Sequence, residues 1–376
     1  MKIYDENQLV KLAKRDNNTK RAYLLVNPLQ GKHIPVSPKN ALDVFNDLAQ
    51  KLYAKYSNEK LMLIGFAETA TAICAAVAAF APAEIYFLQT TREFFQDSEF
   101  LYFSETHSHA VEQKLVKTNF EKYLNSSDRI IFVEDEVTTG NTILNAINAI
   151  KAEYKNRTLN FGIASILNSV SDERIKEFKA LDIDFTYLLH LTAKDYTQQL
   201  DNFSFSQNAQ QSFEKACSSS VTELEITNKS DPRIGTSNTD FMKKCSFLAT
   251  KILSDLGSVW ENKSILVLGS EEFMFPALFT AKKIEETCNC SEVKFHATTR
   301  SPILPSESDN YPLFSRYQLK SLYDDDRTIF VYNLKKYDKV IVIHDSPTTN
   351  TAGINSLVAA LGASQCNDIT IYKWSD

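Results

Sequence analysis

Residues 130–142 read Ile-Ile-Phe-Val-Glu-Asp-Glu-Val-Thr-Thr-Gly-Asn-Thr. Four apolar residues, Ile130 to Val133, are a short buried-strand signal. Two adjacent carboxylates, Glu134 and Asp135, stand at its end, followed by the loop Thr138-Thr139-Gly140-Asn141-Thr142. A helical pattern then starts at once, with Ile143, Leu144, Ile147 and Ile150 on one face. A helix start carries unsatisfied N–H groups and the positive end of the macrodipole, so it attracts phosphate. Gly140 permits a tight turn close to a ligand, and Thr138, Thr139 and Thr142 add hydroxyl donors. Glu134 and Asp135 are acceptors suited to the 2′- and 3′-hydroxyls of a ribose. Strand, acids, hydroxyl loop and helix start together read as a site for a phosphorylated sugar. The plainer alternative is a strand–turn–helix with a threonine N-cap. A Walker loop is excluded because the segment has no lysine, and a dinucleotide fingerprint because Gly140 stands alone.

The rest of the composition narrows the class. The chain has 376 residues, 43% of them hydrophobic, which is ample for two packed domains. Its formal net charge is −6, and no long basic run appears, so a nucleic-acid partner is disfavoured. The longest apolar stretch, Ile73 to Ala83, is too short to span a bilayer, and the N-terminus lacks an apolar leader core. Six cysteines in so long a chain do not make a disulfide scaffold, and Cys288-Asn289-Cys290 has no second ligand pair for zinc. A cytoplasmic protein without membrane segments is the expectation. Only nine glycines occur, and Gly65, Gly140 and Gly269 each adjoin a strand-like run.

Outward from the central motif, Leu61 to Gly65 reads as a buried strand and Ala70 to Phe80 as an Ala-rich helix ended near Pro82. Further strands are expected at Glu84–Leu88, Phe161–Leu167 and Phe185–Leu189. Alternating strands and helices imply a mainly parallel sheet with helices on both faces, and ligands at the strands' carboxyl ends. Residues 201–240 read as a connector, rich in Gln, Asn and Ser.

The second half repeats the order of the first. Leu61-Met62-Leu63-Ile64-Gly65 parallels Ile265-Leu266-Val267-Leu268-Gly269, and Thr90-Thr91-Arg92 parallels Thr298-Thr299-Arg300. Ile130 to Asp135 parallels Val340 to Asp345, and Thr-Thr follows at Thr138 and again at Thr348. A diverged second copy of one fold is inferred. His344 replaces its first acid and Asn350 stands where Gly140 would align, so its phosphate loop is expected to be altered or lost. Such a copy holds the acceptor, a product-like anion, or nothing.

Residues 130–142 resemble the phosphoribosyl-pyrophosphate (PRPP) motif of type I phosphoribosyltransferases. The whole chain resembles orotate-phosphoribosyltransferase-like proteins with a C-terminal TRSP domain, relatives of which occur in tellurite-resistance gene clusters. Thr299-Arg300-Ser301-Pro302 spells the domain's name; Asn27 to His33, Gly65 to Ala70, Thr90 to Glu93 and His107-Ser108-His109-Ala110 are further signatures. The resemblance implies an α/β type I phosphoribosyltransferase fold over residues 1–200, a connector over 201–240, and a phosphoribosyltransferase-like TRSP domain over 241–376. It implies transfer of a 5-phosphoribosyl group from PRPP to a nucleobase-like nitrogen, with magnesium held through PRPP and water near Glu134 and Asp135 rather than by direct ligands. A homodimer is one expected assembly.

It also implies roles for single residues. Phe66, Ala67, Glu68, Thr69 and Ala70 form the pyrophosphate loop, in which Glu68 either caps the following helix or meets metal-bound water. Arg92 neutralises departing pyrophosphate, unless it is a surface arginine paired with Glu93. Residues 94–110 cover the site, and His107 and His109 protonate or clamp pyrophosphate or, less favourably, bind metal. Asn27, Gln30, Lys32 and His33 belong to a hood over the base, the alternative being a simple turn around Gly31. In the second domain Glu271, Glu272, Arg300 and Asp345 complete an acceptor site, or Arg300 is held in a structural ion pair. The rivals to an enzyme are a PRPP- or nucleotide-sensing regulator and a scaffold within a biosynthetic complex.

Overall fold

The computed structural model describes residues 2–376 except 17–20, 97, 104–112, 193–194, 206–209, 213–219, 258–259 and 348–349. The chain forms two compact units, and neither is a single stretch of sequence. Unit 1 comprises residues 1–5, 42–194 and 230–243; unit 2 comprises 6–41, 195–229 and 244–376.

Unit 1 is built on a six-stranded sheet ordered Thr236–Ser237, Tyr86–Gln89, Leu61–Gly65, Arg129–Val137, Asn160–Asn168, Ile183–His190. All neighbours are parallel except the short edge strand Thr236–Ser237, which runs antiparallel to Tyr86–Gln89. Leu61–Gly65 is buried along its whole length, as a central parallel strand covered on both faces must be. Ile64 pairs with Leu88 on one side and Phe132 on the other. The helix Thr71–Ala79 is apolar all round, and all but its last residue are buried. Its small side chains allow close approach to the sheet. A Cβ at Gly65 would lie 2.4 Å from Cys74 Cβ, so glycine is needed there for packing. The helix Asn141–Glu153 buries Ile143, Ala146, Ile147 and Ile150 against the same core.

Two expectations change at this level. The strand carrying the acids does not stop at Val133; it runs to Val137, because Glu134 and Glu136 pair with Ser165 and Leu167 of the long neighbouring strand. The stretch read as a connector is built into both units. Ser220–Ile226 is an edge strand of unit 2, paired in parallel with Asp368–Trp374. It is exposed at all but its last position, so it lacks the apolar signal of a buried strand. Residues 230–243 return to unit 1, where Pro232 O accepts from Gln89 N (2.9 Å) and Asn238 Oδ1 accepts from Ile85 N (3.1 Å).

Unit 2 has a five-stranded parallel sheet ordered Ser220–Ile226, Asp368–Trp374, Lys339–His344, Ser264–Gly269, Glu292–Ala297. The correspondence between halves extends to the order of strands. Tyr86–Gln89, Leu61–Gly65, Arg129–Val137 and Asn160–Asn168 are adjacent in unit 1; Glu292–Ala297, Ser264–Gly269, Lys339–His344 and Asp368–Trp374 are adjacent, in the same sequence, in unit 2. The helices Phe275–Thr287 and Thr351–Ala363 follow the matching strands.

Lys11–Arg15 pairs antiparallel with Tyr23–Val26 and with Ile303–Leu304, so the N-terminal segment belongs to unit 2. Continuity with residues 42–194 in sequence hides this long-range pairing. Among the described residues, no helix is long and apolar enough to cross a membrane.

Candidate functional site

The acid pair lies at the carboxyl end of Arg129–Val137, where Glu134, Asp135 and Glu136 are partly exposed. Asp135 Oδ1 accepts from Glu136 N at 2.8 Å, and Ser169 Oγ donates to Glu136 Oε1 at 3.0 Å. These bonds hold the strand end while leaving the carboxylates accessible. Thr138, Thr139, Asn141 and Thr142 are exposed and Gly140 is buried. Gly140 is itself the N-cap of the helix Asn141–Glu153, with φ 74° and ψ 6° and no side-chain capping bond. The threonine N-cap alternative is therefore not what the loop adopts. Gly140 has no capping side chain; Thr139 Oγ1 accepts from Asn141 N (3.3 Å), and the helix start keeps its positive dipole end.

Gly140 has two reasons to be glycine. Its backbone is left-handed, and a Cβ there would lie 2.6 Å from Phe178 Cζ. Gly140→Ala is expected to cost about 2 kcal/mol, combining the left-handed penalty of roughly 1–2 kcal/mol with displacement of a buried ring. Urea unfolding followed by far-UV circular dichroism measures it; a loss below about 0.5 kcal/mol would show that the loop relaxes at no cost.

The first loop reaches the same place. Phe66 N donates to Val133 O (3.1 Å), and Thr69 Oγ1 lies 3.3 Å from Glu134 Oε2, joining the loop Phe66–Ala70 to the acid pair. Ala67 N donates to Thr90 Oγ1 (2.8 Å), which donates in turn to Gln113 Oε1 (2.8 Å). The peptide bond between Ala67 and Glu68 is cis. The N-cap of Thr71–Ala79 is Ala70, without a side-chain cap bond, and the Glu68 backbone carbonyl accepts from Thr71 Oγ1. Glu68 is buried, at 3% exposure.

Arg92 follows Thr91, which bridges to Lys114 through paired backbone bonds of 2.9 and 3.2 Å. Lys114 opens the second strand of a hairpin, Phe100–Tyr102 against Lys114–Val116. The hairpin overlaps the stretch 94–110 expected to cover the site, of which residues 97 and 104–110 lie outside the described residues. His107 and His109 lie outside the described residues.

Two contributors were not foreseen. Gln113 buttresses Thr90, and Arg174 braces the loop 138–142, its Nη2 donating to Asn141 Oδ1 (2.9 Å) and its Nε to Thr139 O (3.4 Å). Arg174 stands on the helix Asp172–Ala180, the helix that delivers Phe178 to Gly140. No local signal marks it; the neighbouring strand's length decides where that helix begins.

The hood residues are in unit 2 and are buried: Asn27 5%, Gln30 2%, Lys32 3% and His33 4% exposed. Gly31 at φ 77° lies against the Phe295 ring, and its carbonyl is 2.9 Å from His296 Nδ1. Burial first, then the charge of Lys32, pushes His33 well below the usual histidine range.

The corresponding places in unit 2 repeat the backbone scheme closely. Thr298 N donates to Gly269 O (3.1 Å) as Thr90 N does to Gly65 O (2.9 Å). Glu271 N donates to Thr298 Oγ1 (3.1 Å) as Ala67 N does to Thr90 Oγ1 (2.8 Å). Thr299 bridges to Phe330 as Thr91 does to Lys114. The side chains differ. Glu271 is fully buried, with Arg300 Nε at 2.7 Å and Arg327 Nη1 at 2.9 Å from its Oε2. Glu272 Oε1 lies 3.6 Å from Arg300 Nη2. Asp345 accepts from Tyr323 Oη (2.8 Å) and lies 3.5 Å from Lys229 Nζ.

His344, in place of the first acid, is buried, and its pKa falls to about 4, chiefly through desolvation, with Asp345 opposing and Lys373 assisting. Ser346 N donates to His344 Nδ1 at 3.2 Å, which requires an unprotonated Nδ1. Because its folded pKa is below the unfolded value of about 6.5, stability is complete above pH 6.5 and falls as pH drops toward 4. The loss from this residue is expected to reach roughly 3 kcal/mol, at about 1.4 kcal/mol per tenfold change in proton affinity. His33 and His296, also in unit 2, are lowered by burial and act in the same direction. His344→Gln is expected to flatten part of the decline between pH 6.5 and 4 in urea-unfolding series; an unchanged profile would refute the assignment to His344.

Comparison with known proteins follows this geometry. Residues 9–193 match a family model described as "Phosphoribosyl transferase", and residues 231–361 match one described as "TRSP domain C terminus to PRTase_2". Together the two matches span more than four-fifths of the chain. No curated protein matches it significantly. Among solved structures, adenine phosphoribosyltransferase from Giardia lamblia with 9-deazaadenine is 14% identical, covering 51% of this chain and 99% of its own, with a TM-score of 0.36. Adenine phosphoribosyltransferase from Trypanosoma brucei, in complex with AMP, pyrophosphate and ribose-5-phosphate, is 14% identical over 48% of this chain and 76% of its own (TM-score 0.34). Orotate phosphoribosyltransferase from Aeropyrum pernix is 11% identical over 50% of this chain and 90% of its own (TM-score 0.31).

Proposed function

Because the chain belongs to the phosphoribosyl transferase family and carries that family's TRSP C-terminal domain, we propose that unit 1 binds PRPP and transfers its 5-phosphoribosyl group to a nucleobase-like nitrogen. The observation that carries this reading is the meeting of the acid pair and the first loop at one strand end, through Thr69 Oγ1 and Glu134 Oε2, on the strand that leads into the glycine-capped helix start. Glu134 and Asp135 accept from the ribose hydroxyls. The 5-phosphate sits on the helix start from Gly140 to Thr142, against backbone N–H groups and the Thr138, Thr139 and Thr142 hydroxyls. Pyrophosphate lies along Phe66–Ala70, with Arg92 neutralising charge as it departs.

The reaction balances simply. An acceptor nitrogen forms a bond to ribose C1 as the C1–O bond to pyrophosphate breaks and its electron pair leaves with pyrophosphate. The acceptor's proton is lost to solvent or a nearby base. Catalysis of such a loose, oxocarbenium-like transition state is mostly positioning and charge stabilisation.

Magnesium fits this site in one manner. The partly exposed strand-end carboxylates are hard oxygen donors, while no cluster of three or more His, Cys, Asp or Glu able to hold a metal occurs among the described residues. Glu134 and Asp135 would therefore meet the ion through water and PRPP oxygens, and it would supply charge neutralisation of pyrophosphate. Titration calorimetry of PRPP with magnesium tests the donor assignment. The acceptor class is tested by screening purine and pyrimidine bases for pyrophosphate release; no release with any base would remove the nucleobase from the proposal.

A further inference from the structure

We infer that the C-terminal copy is a self-filled phosphoribosyltransferase site, closed by its own side chains and backbone, so that each chain carries a single PRPP site. The inference rests on the donor reading of unit 1 and concerns unit 2 alone.

The correspondence of backbone bonds fixes which atoms of unit 2 stand where a donor would lie. Glu271 occupies the position of Ala67 in the first loop, and Arg300 that of Arg92. The Glu271 carboxylate sits between Arg300 and Arg327, with Ser321 Oγ donating to its other oxygen. It is an internal anion held by the two guanidinium groups that pyrophosphate would otherwise engage.

The described part of the matching helix start is engaged as well, Thr348 and Thr349 lying outside the described residues. The helix Thr351–Ala363 starts after Asn350, whose Oδ1 accepts from Gly353 N at 3.1 Å, a capping bond for which Gly140 has no side chain in unit 1. Asn350 Nδ2 donates to Ser321 O at 2.6 Å, and Ser346 Oγ donates to Leu322 O at 2.6 Å. A Cβ on Gly353 would lie 2.4 Å from Ser321 O, so this backbone packs directly on the first turn of the helix. The second acid is engaged too: Asp345 takes Tyr323 Oη and faces Lys229.

Ser321, Leu322, Tyr323 and Arg327 all come from one turn, between the hairpin strands Arg316–Lys320 and Thr328–Tyr332. This hairpin bridges to Thr299 as the hairpin strand Lys114–Val116 of unit 1 bridges to Thr91. The turn is thus a cover fixed in the closed position.

The test uses the full-length protein. PRPP with magnesium is titrated into wild type, Asp135→Asn and Asp345→Asn. One site per chain in wild type, lost in Asp135→Asn and retained in Asp345→Asn, is expected. Two sites, or a site lost only in Asp345→Asn, would overturn the inference. No binding to folded wild type would instead defeat the donor reading of unit 1 and leave the closure of unit 2 standing. Glu271→Ala, made in the Asp135→Asn background, is then probed with inorganic pyrophosphate alone. The vacated arginine pair is expected to gain one pyrophosphate site, weakened at least tenfold by adding Arg327→Ala. A folded Glu271→Ala protein that gains none would overturn the pyrophosphate-position assignment.

Discussion

Asp135→Asn is expected to weaken PRPP binding about 100-fold while leaving the unfolding transition in place. The carboxylate would accept from ribose hydroxyls and from water of a magnesium shell. Hydrogen bonds to a charged group contribute about 1.5–3 kcal/mol each, against about 1 kcal/mol for neutral ones. Exchanging carboxylate for amide at two such contacts removes about 3 kcal/mol, and 1.4 kcal/mol is a factor of ten in affinity. The fold should tolerate the change, because Asp135 is partly exposed and its Oδ1 accepts from Glu136 N, which an asparagine oxygen can also do. Calorimetry supplies the affinity and circular dichroism the control. Wild-type affinity in a folded variant would remove Asp135 from the donor site. PRPP binding that Asp135→Asn abolishes, but no turnover with any base, would move the reading to a metabolite sensor that kept the pocket. A scaffold would keep its partner binding in the same variant.

The second large effect is on stability. Glu271→Ala is expected to destabilise unit 2 by about 3–5 kcal/mol, the usual cost of removing one partner from a buried charged cluster. The carboxylate is fully buried, and its loss removes the nearest counter-charge of Arg300 and Arg327, leaving Glu272 at 3.6 Å and Asp324 at 3.4 Å, and removes the acceptor of the Ser321 hydroxyl. The chain's two tryptophans make this measurable, since Trp260 and Trp374 both lie in unit 2 and are buried. The urea transition read by tryptophan fluorescence should move to lower denaturant by more than about 1 M, given slopes of about 1–3 kcal/mol per molar. In the Asp135→Asn background, pyrophosphate should raise the stability of unit 2 in Glu271→Ala more than in the same protein with Glu271 intact, by mass action on the additional site. A shift worth less than about 1 kcal/mol would mean that the cluster is not holding the hairpin turn to the sheet.

The two predictions separate the copies by chemistry. In unit 1 the strand-end acids are partly exposed and the helix start is capped by a glycine without a side chain. In unit 2 the same architecture has an internal carboxylate, an asparagine cap and a docked turn. One fold supports a ligand site or a closed core, depending on whether the chain supplies its own anion and acceptors.

How far the sequence went depended on the range of each interaction. The donor motif was legible because it is contiguous: an apolar run, two acids, a glycine and a 3.6-residue apolar stripe are dictated by local backbone geometry. The duplication was legible for the same reason, as a recurrence of local patterns in order. Tertiary structure alone decided the rest. The first strand's pairing with Ile303–Leu304 assigned residues 6–41 to the second unit. Glu271 meets Arg300 and Arg327, 29 and 56 residues away, and nothing in its own neighbourhood names them. Arg174 reaches Asn141 across 33 residues. Periodicity records which face of an element is buried, but not what another element brings against it. A buried charge is stable only with its distant partners in place, so the partners, and with them the closure of the second site, exist only once the chain has folded.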